Sequence, residues 1–266
     1  MTLCVVWRKN DEVHFASDSR VTLAKNSHAD VGIKVLSLPY NIYSPCDSST
    51  GKRSLVATGE LGMCFAGSAV NSLFVKESVA EVLKELQYAP GYSNTSMNGL
   101  AQLVFTAYRL ISKEVCSTVI GGNGRAALVI AGWCIEKKCV RTFYLETSDE
   151  NKHSCKEILT APNQHHFIGS GKSKAGALLP MNPSDTDYLR VLKSVIDDPT
   201  VDSVGGSIQY GHFENNNFKL SGIVERKEGV HYWRGALDLN STEFMGADDI
   251  LVPSLSYIDP FNTFSR

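Results

Sequence analysis

Thr2-Leu3-Cys4-Val5-Val6-Trp7-Arg8-Lys9-Asn10-Asp11-Glu12-Val13-His14-Phe15-Ala16-Ser17-Asp18 is the stretch on which the fold turns. Leu3 to Arg8 is apolar and β-branched, Lys9-Asn10-Asp11 has turn chemistry, and Val13 to Ala16 resumes an extended pattern, so the chain opens with a β-hairpin. A turn centred on Asn10 pairs residue i with residue 20 − i. That register sets Thr2 against Asp18, and a slip of one residue keeps the two close. A hydroxyl next to the chain terminus is thereby brought to a carboxylate.

Working outward, Ile33 to Leu38 forms a third strand, and Pro39 to Ser54 is rich in turn residues and reads as a loop or excursion. The strand Gly62 to Ala66 runs into Gly67-Ser68 and a helix with Val75, Val79, Val82 and Leu86 on one stripe. A second helix, capped by Asn94, Thr95 or Ser96, presents Leu100, Leu103, Val104, Ala107 and Ile111. Strands at 127–133 and 140–146 follow, then a strand at 166–168 that ends in Gly169-Ser170-Gly171. Two helices, 172–179 and 185–196, precede strands near 206–213 and 218–224. Tight turns favour antiparallel pairing, and helices arriving in pairs favour layers on two sheets. The expectation is one α+β domain over residues 1–266, with an insertion near 39–58 and an extension from about 226.

Composition narrows the function classes. The 266 residues are 43% hydrophobic and 20% charged, as in ordinary globular chains, and the formal net charge is −2. No strong field exists to gather nucleic acid or an anionic membrane. The longest apolar run, Ala126 to Ile135, is about half the roughly 20 residues a membrane span needs. The N-terminal apolar run is too short for a signal peptide, so a cytoplasmic location is expected. Seven scattered cysteines without a Cys-x-x-Cys pair, and seven histidines without ligand spacing, indicate neither a disulfide framework nor a metal site. No cofactor is expected. Gly171-Lys172-Ser173 resembles the end of a phosphate-binding loop, but His166 stands where that motif needs glycine.

Four features converge: Met1-Thr2, where removal of Met1 would free a threonine; Asp18-Ser19-Arg20-Val21-Thr22; Lys34, a lone cation in an apolar strand; and Phe65-Ala66-Gly67-Ser68, a strand-to-helix turn with an exposed glycine N–H. With Asp sixteen and Lys thirty-two residues after Thr2, and Gly169-Ser170-Gly171 further on, the chain resembles 20S proteasome β subunits and their bacterial relatives among the N-terminal nucleophile hydrolases. Over roughly residues 2 to 225, that resemblance implies a four-layer αββα sandwich of two antiparallel sheets and a threonine peptidase. Catalytic roles would fall to Thr2, Asp18, Lys34 and Ser170. Substrate would lie on Thr22, Gly67 and Ala69, with Arg20 and Asp202 in support. A peptide or unfolded-protein substrate and a homo-oligomeric ring are implied, and an ATPase unfoldase partner is admitted.

The same residues make a coherent mechanism. An α-amine titrates near 7.7–8 and can take the hydroxyl proton; the Gly67 N–H would meet the oxyanion. Whether Lys34 or the amine is the first proton acceptor stays open. The pattern departs from the family at Leu3, where a second threonine is common. In Asp202-Ser203-Val204-Gly205-Gly206 either Val204 or Gly205 takes the serine's place. Phe65 is expected to line the specificity pocket. The alternatives are a non-catalytic structural subunit and an amidohydrolase of the same superfamily.

Overall fold

In a computed structural model, which describes residues 2–24, 27–92, 95–119, 121–150, 152–225, 230–233, 237–238 and 257–259, the opening hairpin is strands β1 (Leu3–Lys9) and β2 (Glu12–Ser17). Asn10 adopts φ +53, and Lys9 pairs with Glu12, so the turn is the two residues Asn10-Asp11. Residue i therefore faces 21 − i. The register is one step from the expected one and places Leu3, not Thr2, across from Asp18. Met1, Asn94 and most of the tail from Arg226 lie outside the described residues.

The chain continues through β3 (Val21–Ala24), β4 (Ser27–Ala29), β5 (Val35–Tyr43), β6 (Leu55–Gly67), α1 (Ala69–Leu83), β7 (Leu86–Gln87) and α2 (Met97–Glu114). Then come β8 (Ala126–Cys134), β9 (Cys139–Thr147), β10 (His153–Ile158), β11 (His165–Gly169), α3 (Lys172–Leu178) and α4 (Asp185–Ile196). Strands β12 (Gln209–Glu214), β13 (Asn217–Glu225), β14 (Val230–Trp233), β15 (Leu237–Asp238) and β16 (Tyr257–Ile258) complete it. One sheet has the order β11-β1-β2-β12-β13-β14-β15, and the other β10-β9-β8-β6-β5-β7. Pairing is antiparallel except for two short edge pairs, β5 with β7 and β13 with β16.

This α+β chain has three apolar cores, and the strand sequences explain why. Along β1, Leu3, Val5 and Trp7 pack against α3 and α4 with Ala175, Leu189 and Leu192, while Cys4 and Val6 point the other way. Cys4 and Val6 meet Val35, Cys64, Val129 and Ala131 of the second sheet. Along β8, Leu128 and Ile130 pack beneath α1 and α2 with Val75, Val79, Leu100 and Val104. Strands buried on both faces read as continuous apolar runs rather than as alternation.

Three local expectations are corrected. Residues 39–43 belong to β5, so the excursion is the far half of a long hairpin with β6, its tip at 44–54 turned by Asp47 accepting from Ser49 and Thr50 N–H groups. Pro39 is tolerated because β7 pairs β5 only at Ile42 and Tyr43, leaving the edge beside Pro39 free. Val82 is 50% exposed and Leu86 lies in β7; Ala80 and Leu83 complete the buried face of α1 instead. Strand β10 was not expected, because its sequence His153-Ser-Cys-Lys-Glu-Ile158 is polar and covers an edge. Of the three cap candidates for α2, Ser96 is the one that accepts from Gly99 N–H.

Candidate active site

Asp18 follows β2, and its carboxylate is fully enclosed. Oδ1 accepts from Lys34 Nζ at 2.8 Å and from Leu3 N–H at 3.0 Å; Oδ2 accepts from the N–H groups of Arg20 and Gly205, each at 3.1 Å. Four donors converge on one anion, two of its backbone partners lying sixteen or more residues from the third in sequence. The ion pair is buried on both sides, at 1% exposure for Lys34 and 0% for Asp18.

Lys34 enters just before β5, and a side chain fixes that entry. Gln209 Oε1 accepts from Lys34 N–H at 2.8 Å and from Val35 N–H at 3.2 Å, while its amide nitrogen donates to Gly32 O. Gln209 is buried at the start of β12, so the two sheets are tied together where Lys34 emerges.

Thr2 precedes β1 and is 2% exposed. Its carbonyl lies 3.5 Å from both Gly171 N and Ser170 Oγ, long contacts from the turn after β11. Gly169 turns the chain there at φ +99, and a Cβ at this position would stand 2.0 Å from Thr2 O, so only glycine lets the turn close on Thr2. The same imagined Cβ would lie 3.2 Å from Ala66 Cβ, which brings the β6 end beside Thr2. Gly67 then bends at φ +96, and Ser68 caps α1 by accepting from Asn71 N–H at 3.3 Å while its own N–H donates to Arg125 O. The turn expected to carry the oxyanion donor is therefore next to Thr2.

The other expected residues separate into those that converge and those that do not. Ser170 is close, and its hydroxyl partner is Ser203 Oγ at 2.9 Å. Of the two positions read from sequence in the serine's place, Val204 is packed in the α3–α4 core and Gly205 supplies backbone groups, so Ser203 is the hydroxyl that meets Ser170. Asp202 meets Arg20 through its carbonyl, which accepts from Arg20 Nη1 at 3.0 Å. Arg20 also forks onto Asp30 at 2.7 and 2.9 Å, and that bond holds its guanidinium above the ordinary value and the Asp30 carboxyl below its own. Thr22 is exposed on the β3–β4 ribbon opposite His28, and Ala69 begins α1, half-buried. Alternation along β6 turns the Phe65 side chain into the core under α1 and α2, at 2% exposure, whereas the sequence reading set it in the specificity pocket. Ser203 and Gln209 were missed from sequence. The signal for Ser203 was its place directly after Asp202; Gln209 offered none, since a polar residue at a strand start is ordinary.

Among the described residues, no group of three or more His, Cys, Asp or Glu is arranged to hold a metal ion, and no helix is long and apolar enough to cross a membrane.

No protein-family model matches the chain, and neither does any curated protein. Solved structures do match. Anbu (ancestral beta-subunit) from Yersinia bercovieri aligns over 82% of this chain and 86% of its own, at 16% identity and a TM-score of 0.55. The fold is similar to that of Anbu. A Gly-1 mutant of Anbu from Hyphomicrobium sp. strain MC1 aligns over 92% and 90%, at 17% identity and 0.55. The helical assembly of the Anbu complex from Pseudomonas aeruginosa aligns over 92% and 90%, at 16% and 0.56. These neighbours are proteasome-like but distinct from 20S β subunits, which corrects the family drawn from the Thr2–Asp18–Lys34 spacing.

Proposed function

We propose that the chain is a threonine-type peptidase subunit of an Anbu-like assembly, a four-layer αββα sandwich whose nucleophile is Thr2 after hydrolytic removal of Met1. The observation that supports this most is the buried Asp18–Lys34 pair with four donors on one carboxylate. Desolvating two charges costs several kcal/mol per ion, and an apolar pair of the same volume would pack as well or better. Such a pair, bonded to the N–H of Leu3 that directly follows Thr2, has a use in the proposed chemistry.

With Met1 gone, the Thr2 nitrogen is an amine. The cation of the Lys34–Asp18 ion pair disfavours a second positive charge nearby, so the amine is the proton acceptor. It takes the proton from Thr2 Oγ1 as that oxygen attacks the substrate carbonyl carbon. The oxyanion accepts from Gly67 N–H, and the proton passes to the leaving nitrogen as the peptide bond breaks. Water then hydrolyses the ester on Thr2. A peptide would lie along Thr22 and Gly67 as an added strand, with Ala69 flanking it.

The homo-oligomer is the natural setting, since the Anbu of P. aeruginosa is described as a helical assembly. Hydrolysis of a broad fluorogenic peptide panel by protein lacking Met1, lost in Thr2→Ala with assembly unchanged by light scattering, supports the proposal. Full activity in Thr2→Ala, or none in protein whose mass proves Thr2 is free, overturns it.

A further inference from the structure

A cavity of about 590 Å³ opens between the C-terminal half of α2, the π-helical turn Val115–Val119 and strands β9 and β10. It shares no residue with the Thr2 site. Its walls include Arg109, Ser112, Lys113, Cys116, Thr147 and His153. The π-helical turn directly extends the C-terminus of α2, and such turns are rare and frequent at functional sites.

The charge pattern is what sets this cavity apart. Arg109 and Lys113 are one helical turn apart and so project on the same face. Among the described residues neither is in an ion pair, whereas Lys76, Lys84, Lys137, Lys152 and Lys156 each hold a glutamate. No carboxylate lines the cavity. The nearby acids are engaged elsewhere: Glu114 accepts from Thr118, Glu146 pairs Lys156, and Asp149 pairs Arg125. His153 is held below its ordinary range by burial and then by Arg109, so the two cations supply the charge. The floor is polar and fixed. His153 Nδ1 is 2.9 Å from Thr147 Oγ1, which is 2.7 Å from Tyr108 OH; Tyr108 donates to Ala126 O. Ser112 is bonded to Asn71, whose amide donates to Gly124 O at 2.7 Å.

We propose that this cavity binds a small dianion, a phosphomonoester or a dicarboxylate, with Arg109 and Lys113 neutralising its charge and the Thr147–His153 floor orienting it. The volume suits a metabolite-sized molecule rather than a lone ion. Because Ala126 is the register partner of Gly67, the floor is bonded to the strand pair that carries the turn beside Thr2.

Calorimetric titration of the full chain at pH 7.5 and low salt tests this, with glycerol 2-phosphate and succinate as probes that separate phosphomonoester from carboxylate recognition. The expected result is saturable, one-site binding of at least one probe, weakened at least about tenfold in an Arg109→Ala/Lys113→Ala double variant. A control that removes equal charge from the β8–β9 turn, Lys137→Ala/Lys138→Ala, should bind as the parent does. Both pairs are exposed, so near-parental melting temperatures will show that the variants are folded. Absence of binding at millimolar probe, or an equal loss in the control, overturns the proposal.

Discussion

The two ends of the β1–β2 hairpin bury polar groups in opposite ways. At the turn end, His14 is sandwiched between Trp7 and His212, with ring centroids at 5.0 and 6.0 Å, and bonds Tyr210 OH at 2.7 Å. Burial pushes its pKa down to about 4, so the fold keeps it neutral. Close by, Asp185 accepts from Trp7 Nε1 at 2.7 Å and from Lys9 at 2.6 Å and so joins α4 to the hairpin. At the open end, the fold keeps a full ion pair, Asp18–Lys34, away from water. One end solves burial by discharging a group, which serves packing. The other keeps an ion pair and gives its carboxylate three backbone hydrogen bonds, an arrangement that the proposed chemistry would use. Two buried polar clusters on the same two strands therefore call for different tests.

The largest effect belongs to the open end. Thr2→Ala should lower peptide hydrolysis at least about a thousandfold while leaving melting temperature and assembly in place. A loss of stability equal to the loss of activity would make Thr2 a packing residue and erase the contrast. Next, Asp18→Ala strands the Lys34 ammonium in the interior and should cost roughly 3–5 kcal/mol in denaturant unfolding. Lys34→Met removes the charge at similar volume and leaves Asp18 its three backbone donors. It should cost markedly less stability yet abolish hydrolysis equally. Equal stability losses would mean that the pair is merely structural.

The turn end should respond to acid. Above pH 6.5, His14 is neutral in both folded and unfolded chains and contributes nothing to pH dependence. Between about pH 6.5 and 4 the unfolded chain takes up the proton first, so stability falls as pH falls. The loss from this one residue levels at about 3 kcal/mol below pH 4. His212, also held down by burial, adds in the same direction. His14→Phe should flatten that part of the profile in urea melts taken across the range, at the expense of the Tyr210 hydrogen bond. An unchanged slope would show that His14 does not resist protonation. Smallest is Ser203→Ala, which breaks the bond to Ser170 Oγ. About 1 kcal/mol of stability and a modest fall in kcat with KM unchanged are expected. A rise in KM alone would place Ser203 in substrate binding instead.

Much of this was legible in the sequence for identifiable reasons. Leu3 to Trp7 and Ala126 to Cys134 read as strands because burial on both faces leaves no polar position to confuse the period. The approach of the first residues to Asp18 was legible because hairpin pairing converts a sequence separation into proximity, and a one-residue slip moved the partner of Asp18 only to Leu3; the place of Lys34 came with the family resemblance, not with strand pairing. What escaped depends on contacts between distant segments. Whether 39–43 is loop or strand is decided by β6 across the ladder, which outweighs the turn-forming Pro39 and Asn41. The direction of Phe65 follows from the phase of β6, and one residue of phase separates a core side chain from a site residue. Ser203 and Gln209 act through partners 33 and 175 residues away, a distance that no local pattern encodes.

Exposure of the purified protein to a peptide epoxyketone, followed by intact mass, tests the central claim most directly, because that warhead needs a hydroxyl and an amine on one residue. The account predicts a single adduct on a chain that has lost Met1, absent in Thr2→Ala. A preparation that cleaves peptides while remaining unlabelled, or while still carrying Met1, would contradict it.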